Sequence, residues 1–131
     1  MKIRIEGGLL YVSAELIYQS RKLTLSEVIL DTGSATTLFS ADEVFKLGLV
    51  PGPDDPIQRV RGVGGSEFVL SKRLDSLSLG DLAVSSFPIQ IGAMDYGFPI
   101  QGLIGLNFLV QAGAVIDLAN LEIIASRGKR S

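Results

Sequence analysis

One aspartate in this chain stands where chemistry is the best reason for it. Asp31 follows the apolar run Val28-Ile29-Leu30 and is followed by Thr32-Gly33-Ser34. The apolar run, two of whose residues are β-branched, reads as a buried strand. Gly33 reads as the turn that ends it, because glycine tolerates backbone conformations that other residues resist. A carboxylate at the end of a buried strand needs hydrogen bonds, or else its pKa rises. Thr32, Ser34 and the neighbouring backbone N–H groups are the available donors. The same four residues also read as a plain D-x-G turn at a strand end, so the rest of the chain must decide between a reactive acid and ordinary turn chemistry.

Composition limits the chemistry available. The chain has 131 residues, within the range of one domain, and is 47% hydrophobic, enough for a real core. It contains no cysteine, which excludes disulfides, a thiolate nucleophile and a zinc–sulfur site. It contains no histidine, which excludes Ser-His-Asp machinery and imidazole metal ligands. Acid–base work must therefore fall to carboxylates, lysine or tyrosine. No metal and no cofactor is expected. Twelve Lys+Arg against 14 Asp+Glu leave a net charge of −2, too balanced to suggest a nucleic-acid partner. Met1–Gly8 alternates charged and apolar residues without the apolar centre of a signal peptide. Tyr96 to Ile116 has no charged residue and is long enough to span a membrane, but its glycines, Pro99, Gln101, Asn107 and Gln111 speak against a transmembrane helix. A cytoplasmic protein without a membrane partner is expected, and the missing cysteines fit that compartment.

The elements that would position Asp31 follow from alternation and breakers. Ile3–Glu6, Leu9–Tyr18 and Leu23–Leu30 read as strands, the third delivering Asp31. Ser40–Gly48 reads as a short helix, with Ser40 and Glu43 in capping-box spacing and Gly48 just past its end. Pro51–Pro56 is a loop. Ile57–Val63 and Glu67–Leu70 flank Gly64-Gly65 as a glycine-tipped hairpin, which by itself could be a plain surface feature. Leu74–Leu79 and Leu82–Val84 form another hairpin around Gly80-Asp81, and Phe87–Ile91 is a further strand. Gly102-Leu103-Ile104-Gly105 leads into a helix-compatible run to Gln111, its glycines pointing to close backbone approach. Ala114–Asp117 and Leu121–Ala125 form a last hairpin. Asp81 and Asp54-Asp55 read as turn or loop chemistry, and Asp117 as structural, paired with an arginine. The sum is about nine short strands and two short helices, a mostly-β chain closed into a barrel.

Three features stand in a fixed order: the apolar strand into Asp31-Thr32-Gly33-Ser34, the hairpin tip Gly62-Val63-Gly64-Gly65, and Leu103-Ile104-Gly105 opening a short helix. In that order they resemble the retropepsin-like aspartic proteases, the family of the retroviral proteases, over roughly Leu9 to Ala125. The resemblance implies a single retropepsin-like domain over residues 1–131, with residues 1–8 and 121–131 as terminal strands or tail, and a closed acid-protease barrel with a flap hairpin. It implies an aspartic endopeptidase with Asp31 as the catalytic residue. Thr32, Gly33 and Ser34 would support it, and Gly62, Val63, Gly64 and Gly65 would form the flap. Leu103, Ile104 and Gly105 would belong to the substrate groove, with Val63 lining it from the flap.

A single Asp-Thr-Gly in a chain of this length leaves the second carboxylate to a second copy across a two-fold axis, so a homodimer acting on a peptide or protein is expected. Thr32 would brace the pair by bonding across to the partner's loop. The terminal strands Ile3–Glu6 and Leu121–Ala125 would pair between subunits. Ser34, where retropepsins often have alanine, would donate to the ionised Asp31, lower the pKa of the dyad and favour activity in acid. The alternative is the same fold used as a catalytically weak dimerisation or peptide-binding module. A small-ligand barrel would require the motif order to be chance.

Overall fold

The structure, a computed structural model, describes residues 1–49, 57–62, 65–94 and 99–126, with backbone alone for 57–62 and 65–69. Alternating apolar residues produce ten strands: β1 (Arg4–Glu6), β2 (Leu9–Tyr18), β3 (Arg21–Leu30), β4 (Leu38–Ser40), β5 (Ile57–Gly62), β6 (Gly65–Leu79), β7 (Leu82–Gly92), β8 (Gly102–Ile104), β9 (Ala114–Asp117) and β10 (Glu122–Ala125). The helices are α1 (Ala41–Val44) and α2 (Leu106–Ala112), and a 3-10 turn, Phe45–Leu47, extends α1.

Six strands close into a barrel in the order β2-β3-β8-β4-β7-β6, and β6 returns to β2 by pairing Ser76–Ser78 with Glu15–Ile17. β1 and β5 lie outside the ring, on β2 and β6. Closure leaves no free edge within the ring. Inside are Leu16, Val28, Phe39, Leu77, Ile104 and Phe108, all without exposure, and Phe108 of α2 meets Phe87 edge to face at 5.4 Å. The seven-residue α2 is thereby fastened to the barrel by one aromatic anchor. No helix among the described residues is long and apolar enough to cross a membrane, and the described part of the uncharged Tyr96–Ile116 stretch carries β8, α2 and the start of β9.

Several expected elements take a different form. Glu67–Leu70 and Leu74–Leu79 are one strand: β6 pairs through Ser71, Lys72 and Arg73 with Gln90, Ile89 and Pro88 of β7. Those polar side chains interrupt the apolar pattern but not the backbone ladder, which does not depend on side-chain type. Leu82–Val84 and Phe87–Ile91 likewise merge in β7, with only Ser86, at φ 53°, marking the expected gap. Ser40 begins α1 but makes no side-chain cap bond, and Glu43 pairs instead with Lys46 at 2.8 Å. β4 was not expected at all. The Pro51–Pro56 loop, Val63 and Gly64 of the flap tip, and the tail beyond Ser126 lie outside the described residues. The terminal segments pair within the chain. β1 lies on β2, Ile3 N–H donates to Leu121 O at 2.8 Å, and Ile123 N–H donates to Met1 O at 2.9 Å.

The tightest joint is between β8 and α2. A Cβ on Gly105 would stand 2.0 Å from the Thr36 carbonyl oxygen and 2.9 Å from that of Ser34, both backbone atoms with little freedom to move. Gly105→Ala should therefore destabilise the protein by at least about 2 kcal/mol through forced backbone displacement. Urea unfolding with an unchanged slope and a lowered midpoint is the expected result.

Candidate active site

β3 brings Asp31 to the barrel mouth. Its last residues pair in parallel with β8, Val28 with Gly102, Ile29 with Leu103 and Leu30 with Ile104. The Asp31 N–H extends this ladder by donating to Ile104 O at 2.9 Å. The chain then turns, Ser34 N–H donating to Asp31 O at 3.2 Å, and the loop is tied to α2 by Leu106 N–H donating to Ser34 O at 2.7 Å. The Asp31 side chain is half-buried, and its Oδ1 accepts the Gly33 N–H at 2.9 Å. The backbone of this loop is therefore bonded at both ends to β8 and α2, while the carboxylate keeps a face toward solvent.

Gly33 does not serve the turn by a left-handed backbone, as its φ is not in that region. A Cβ there would stand 3.2 Å from the Asp31 Oδ1, so glycine keeps the carboxylate's hydrogen-bonding side open. Ser34 departs from expectation. Its hydroxyl donates to Thr36 O at 2.8 Å, and so it is engaged in stiffening the loop rather than in bonding the Asp31 carboxylate. Thr32 is exposed and makes no hydrogen bond among the described residues.

The three expected groove residues separate. Ile104 has no exposure and packs in the barrel core, and Gly105 is the buried first-turn cap of α2. Leu103 alone is half-buried on the other side, against a second apolar cluster of Tyr11, Ile29 and Ile100 flanked by Leu9 and Met94. Strand alternation puts Ile29 and Asp31 on the same side of β3, with Val28 and Leu30 facing the core. The apolar floor beside Asp31 is thus Leu103 with Ile29 and Tyr11. Alternation along β3 could have marked Ile29, but Tyr11 reaches the cluster only through the β2–β3 register, where it pairs with Ile29. Of the expected flap residues, Gly62 and Gly65 pair across the hairpin where β5 meets β6, and Val63 and Gly64 fall outside the described residues.

One important residue carried no sequence signal. Thr37 is a polar side chain with no exposure, next to the Asp31 loop. Its hydroxyl donates to Asn107 Oδ1 at 2.9 Å and accepts the Gly105 N–H at 3.1 Å. The same Asn107 oxygen accepts the Phe108 N–H at 2.8 Å, so one bonded group satisfies the N-terminus of α2 and joins it to the loop. Among the rival acids, Asp81 is in the exposed β6–β7 turn. Asp117 is bonded by the backbone and side chain of Asn120 rather than by an arginine, and these bonds hold its carboxyl below the usual aspartate range. They close the β9–β10 turn most firmly above that range, and acidification through the lowered value loosens them. Among the described residues no cluster of acids could hold a metal ion.

A family model described as "Aspartyl protease" matches residues 21–108, which include the Asp31 loop, the hairpin of β5 and β6, and the β8–α2 joint. Of solved structures, the chain is similar to a retropepsin-like aspartic protease from Rickettsia conorii. The two share 20% identity at a TM-score of 0.65, over 94% of this chain and 95% of that one. Of curated protein sequences, none matches the chain.

Thr37→Val keeps the shape of the side chain and removes its hydroxyl, leaving the buried Gly105 N–H without a partner. A loss of about 1–3 kcal/mol is expected in urea or thermal unfolding. Unchanged stability would mean that the hydroxyl does not join α2 to the Asp31 loop.

Proposed function

This chain belongs to the aspartyl protease family and has the retropepsin-like fold, and from that premise we propose that it is an endopeptidase working as a homodimer with one Asp31 from each subunit. The observation that carries this reading is the setting of Asp31. It is half-buried at the end of a core strand, its loop bonded to β8 and α2, with one carboxylate oxygen held by Gly33 N–H and an exposed Thr32 beside it. One such carboxylate is half of an acid–base pair, and the sequence contains a single Asp-Thr-Gly.

In the proposed dimer the two carboxylates share one proton, because like charges in contact do not both ionise. The ionised Asp31 takes a proton from a water molecule as the water oxygen bonds to the scissile carbonyl carbon. The protonated Asp31 gives its proton to the carbonyl oxygen, forming a neutral gem-diol. Collapse re-forms the carbonyl, with one hydroxyl proton returning to an Asp31. The amide nitrogen takes the other aspartate's proton as the C–N bond breaks, and the single shared proton is restored. Thr32 of each subunit faces the other subunit's loop. The peptide lies extended under the β5–β6 hairpin as an added strand, Gly62 to Gly65 forming the flap, and Leu103, Ile29 and Tyr11 receive an apolar side chain.

Asp31→Asn preserves the shape of the side chain and removes its acid–base function. Peptide hydrolysis should fall at least about 10²–10⁴-fold, with circular dichroism and sedimentation unchanged. Undiminished cleavage in the variant would contradict the assignment. A parent protein that binds peptides but never cleaves them, from acid to neutral pH, would favour a binding module on the same fold.

A further inference from the structure

β3 changes face on its way to Asp31. Leu25, Val28 and Leu30 all lie in the barrel core, and Ile29 lies in the cluster on the opposite face. Leu25 and Val28 stand an odd number of residues apart, whereas residues on one face of a regular strand alternate with period two. The pairing with β2 locates the extra residue. Val12 pairs with Val28 and Ala14 with Leu25, two steps along β2 against three along β3. Ser26-Glu27 is therefore a β-bulge. Its consequence for the site is direct. Unbroken alternation from Leu25 would send Glu27, Ile29 and Asp31 into the barrel and leave Val28 and Leu30 outside. With the bulge, the carboxylate stands on the site face.

A bulge leaves backbone groups that the ladder does not pair, and here one side chain takes two of them. Gln101 Oε1 accepts the Ser26 N–H at 3.1 Å and the Glu27 N–H at 3.0 Å. The Gln101 main chain holds the same place. Its N–H donates to Glu27 O at 2.7 Å, and its carbonyl accepts the Ser40 N–H at 2.9 Å. Gln101 immediately precedes β8, so the bulge is clamped from the strand that pairs with β3 up to Asp31. The other end of its side-chain amide meets Glu43 of α1, whose carboxyl is held below the usual glutamate range by Lys46 first and by Gln101 as well. An oxygen toward two N–H donors and an NH2 toward a carboxylate is the one orientation of the amide that satisfies both sides.

We propose that Gln101 is a positioning residue for Asp31, holding the bulge of β3 that turns the carboxylate out of the barrel and onto the site face. This rests on the reading of Asp31 as the reacting acid. Gln101 does not touch Asp31 and acts through the four residues that separate Glu27 from it. Apolar burial of Val28 and Leu30 selects the face, and the Gln101 oxygen fixes the bulge within that choice. Its loss leaves the half-buried Glu27 N–H without its acceptor, so the end of β3 moves more freely. A reacting group displaced even slightly from its working position loses rate rather than fold.

The test compares Gln101→Met, which keeps the length of the side chain and removes its amide, with a swapped pair, Glu43→Gln with Gln101→Glu. The swapped pair restores an acceptor for both N–H groups and an amide donor between the two side chains. In folded Gln101→Met, kcat for peptide cleavage should fall about tenfold to hundredfold while KM stays within about twofold. The Glu27 and Asp31 N–H groups should exchange with solvent deuterium at least about tenfold faster, and the β6–β7 ladder around Leu77 and Val84 should exchange as in the parent. The swapped pair should bring kcat back to within about threefold of the parent and slow both amides again. Three results each overturn the proposal: a folded Gln101→Met protein with the parent's kcat, exchange that quickens equally along β6 and β7, or a swapped pair no better than Gln101→Met. If Gln101→Met does not fold, Gln101→Asn, which draws the acceptor back by one methylene, is read in the same way. A parent that cleaves no peptide contradicts the protease reading, and exchange at Glu27 and Asp31 then decides by itself whether Gln101 holds the strand.

Discussion

The close approach of two backbone segments at Gly105 is the constraint on which the rest of this structure depends. Residues Asp31–Thr37 run so near the start of α2 that no side chain fits between them. Across this contact pass the Asp31, Leu106 and Thr37 hydrogen bonds. Each bond is of ordinary strength, on the order of 1 kcal/mol net. Together they hold the carboxylate loop against the barrel at both of its ends. The barrel supplies the rigid part: parallel pairing of β3 with β8, antiparallel pairing of β8 with β4, and parallel pairing of β4 with β7 lock three crossing segments into the closed sheet. Asp31, at the end of its strand, gains its fixed position from this arrangement rather than from bonds to its own oxygens, of which, among the described residues, only Gly33 N–H contributes one.

Much of this was legible in the sequence. Leu9–Tyr18 is a strand with the bounds that alternation indicates. The run into Asp31 and the end of the first helix at Gly48 follow from apolar spacing and glycine placement, which are local signals. What escaped reading is non-local. β4 is three residues long and is a strand only because β7 and β8 stand on either side of it. The role of Thr37 depends on a bond to Asn107, seventy positions away. Sequence could not say that the hydroxyl of Ser34 takes Thr36 O as its acceptor. Leu103 and Ile104 are both apolar and adjacent, yet strand alternation sends one to the site and the other into the core.

The same geometry states what one chain lacks. Asp31 is positioned by its own subunit, but the acid–base chemistry of the family needs two carboxylates, and no second Asp-Thr-Gly exists in the sequence. On the proposed reading, catalysis and association are one event, because the second carboxylate arrives with the second chain.

The central claim is that each active site uses one Asp31 from each of two chains, and subunit mixing tests it most directly. Parent and Asp31→Asn chains are combined in varying proportion at fixed total concentration and allowed to exchange, and peptide cleavage is measured. With two aspartates required per site, activity falls as the square of the parent fraction, so an equal mixture retains about one quarter. Activity falling in simple proportion to the parent fraction, one half in the equal mixture, would mean that each Asp31 acts alone and would contradict the account.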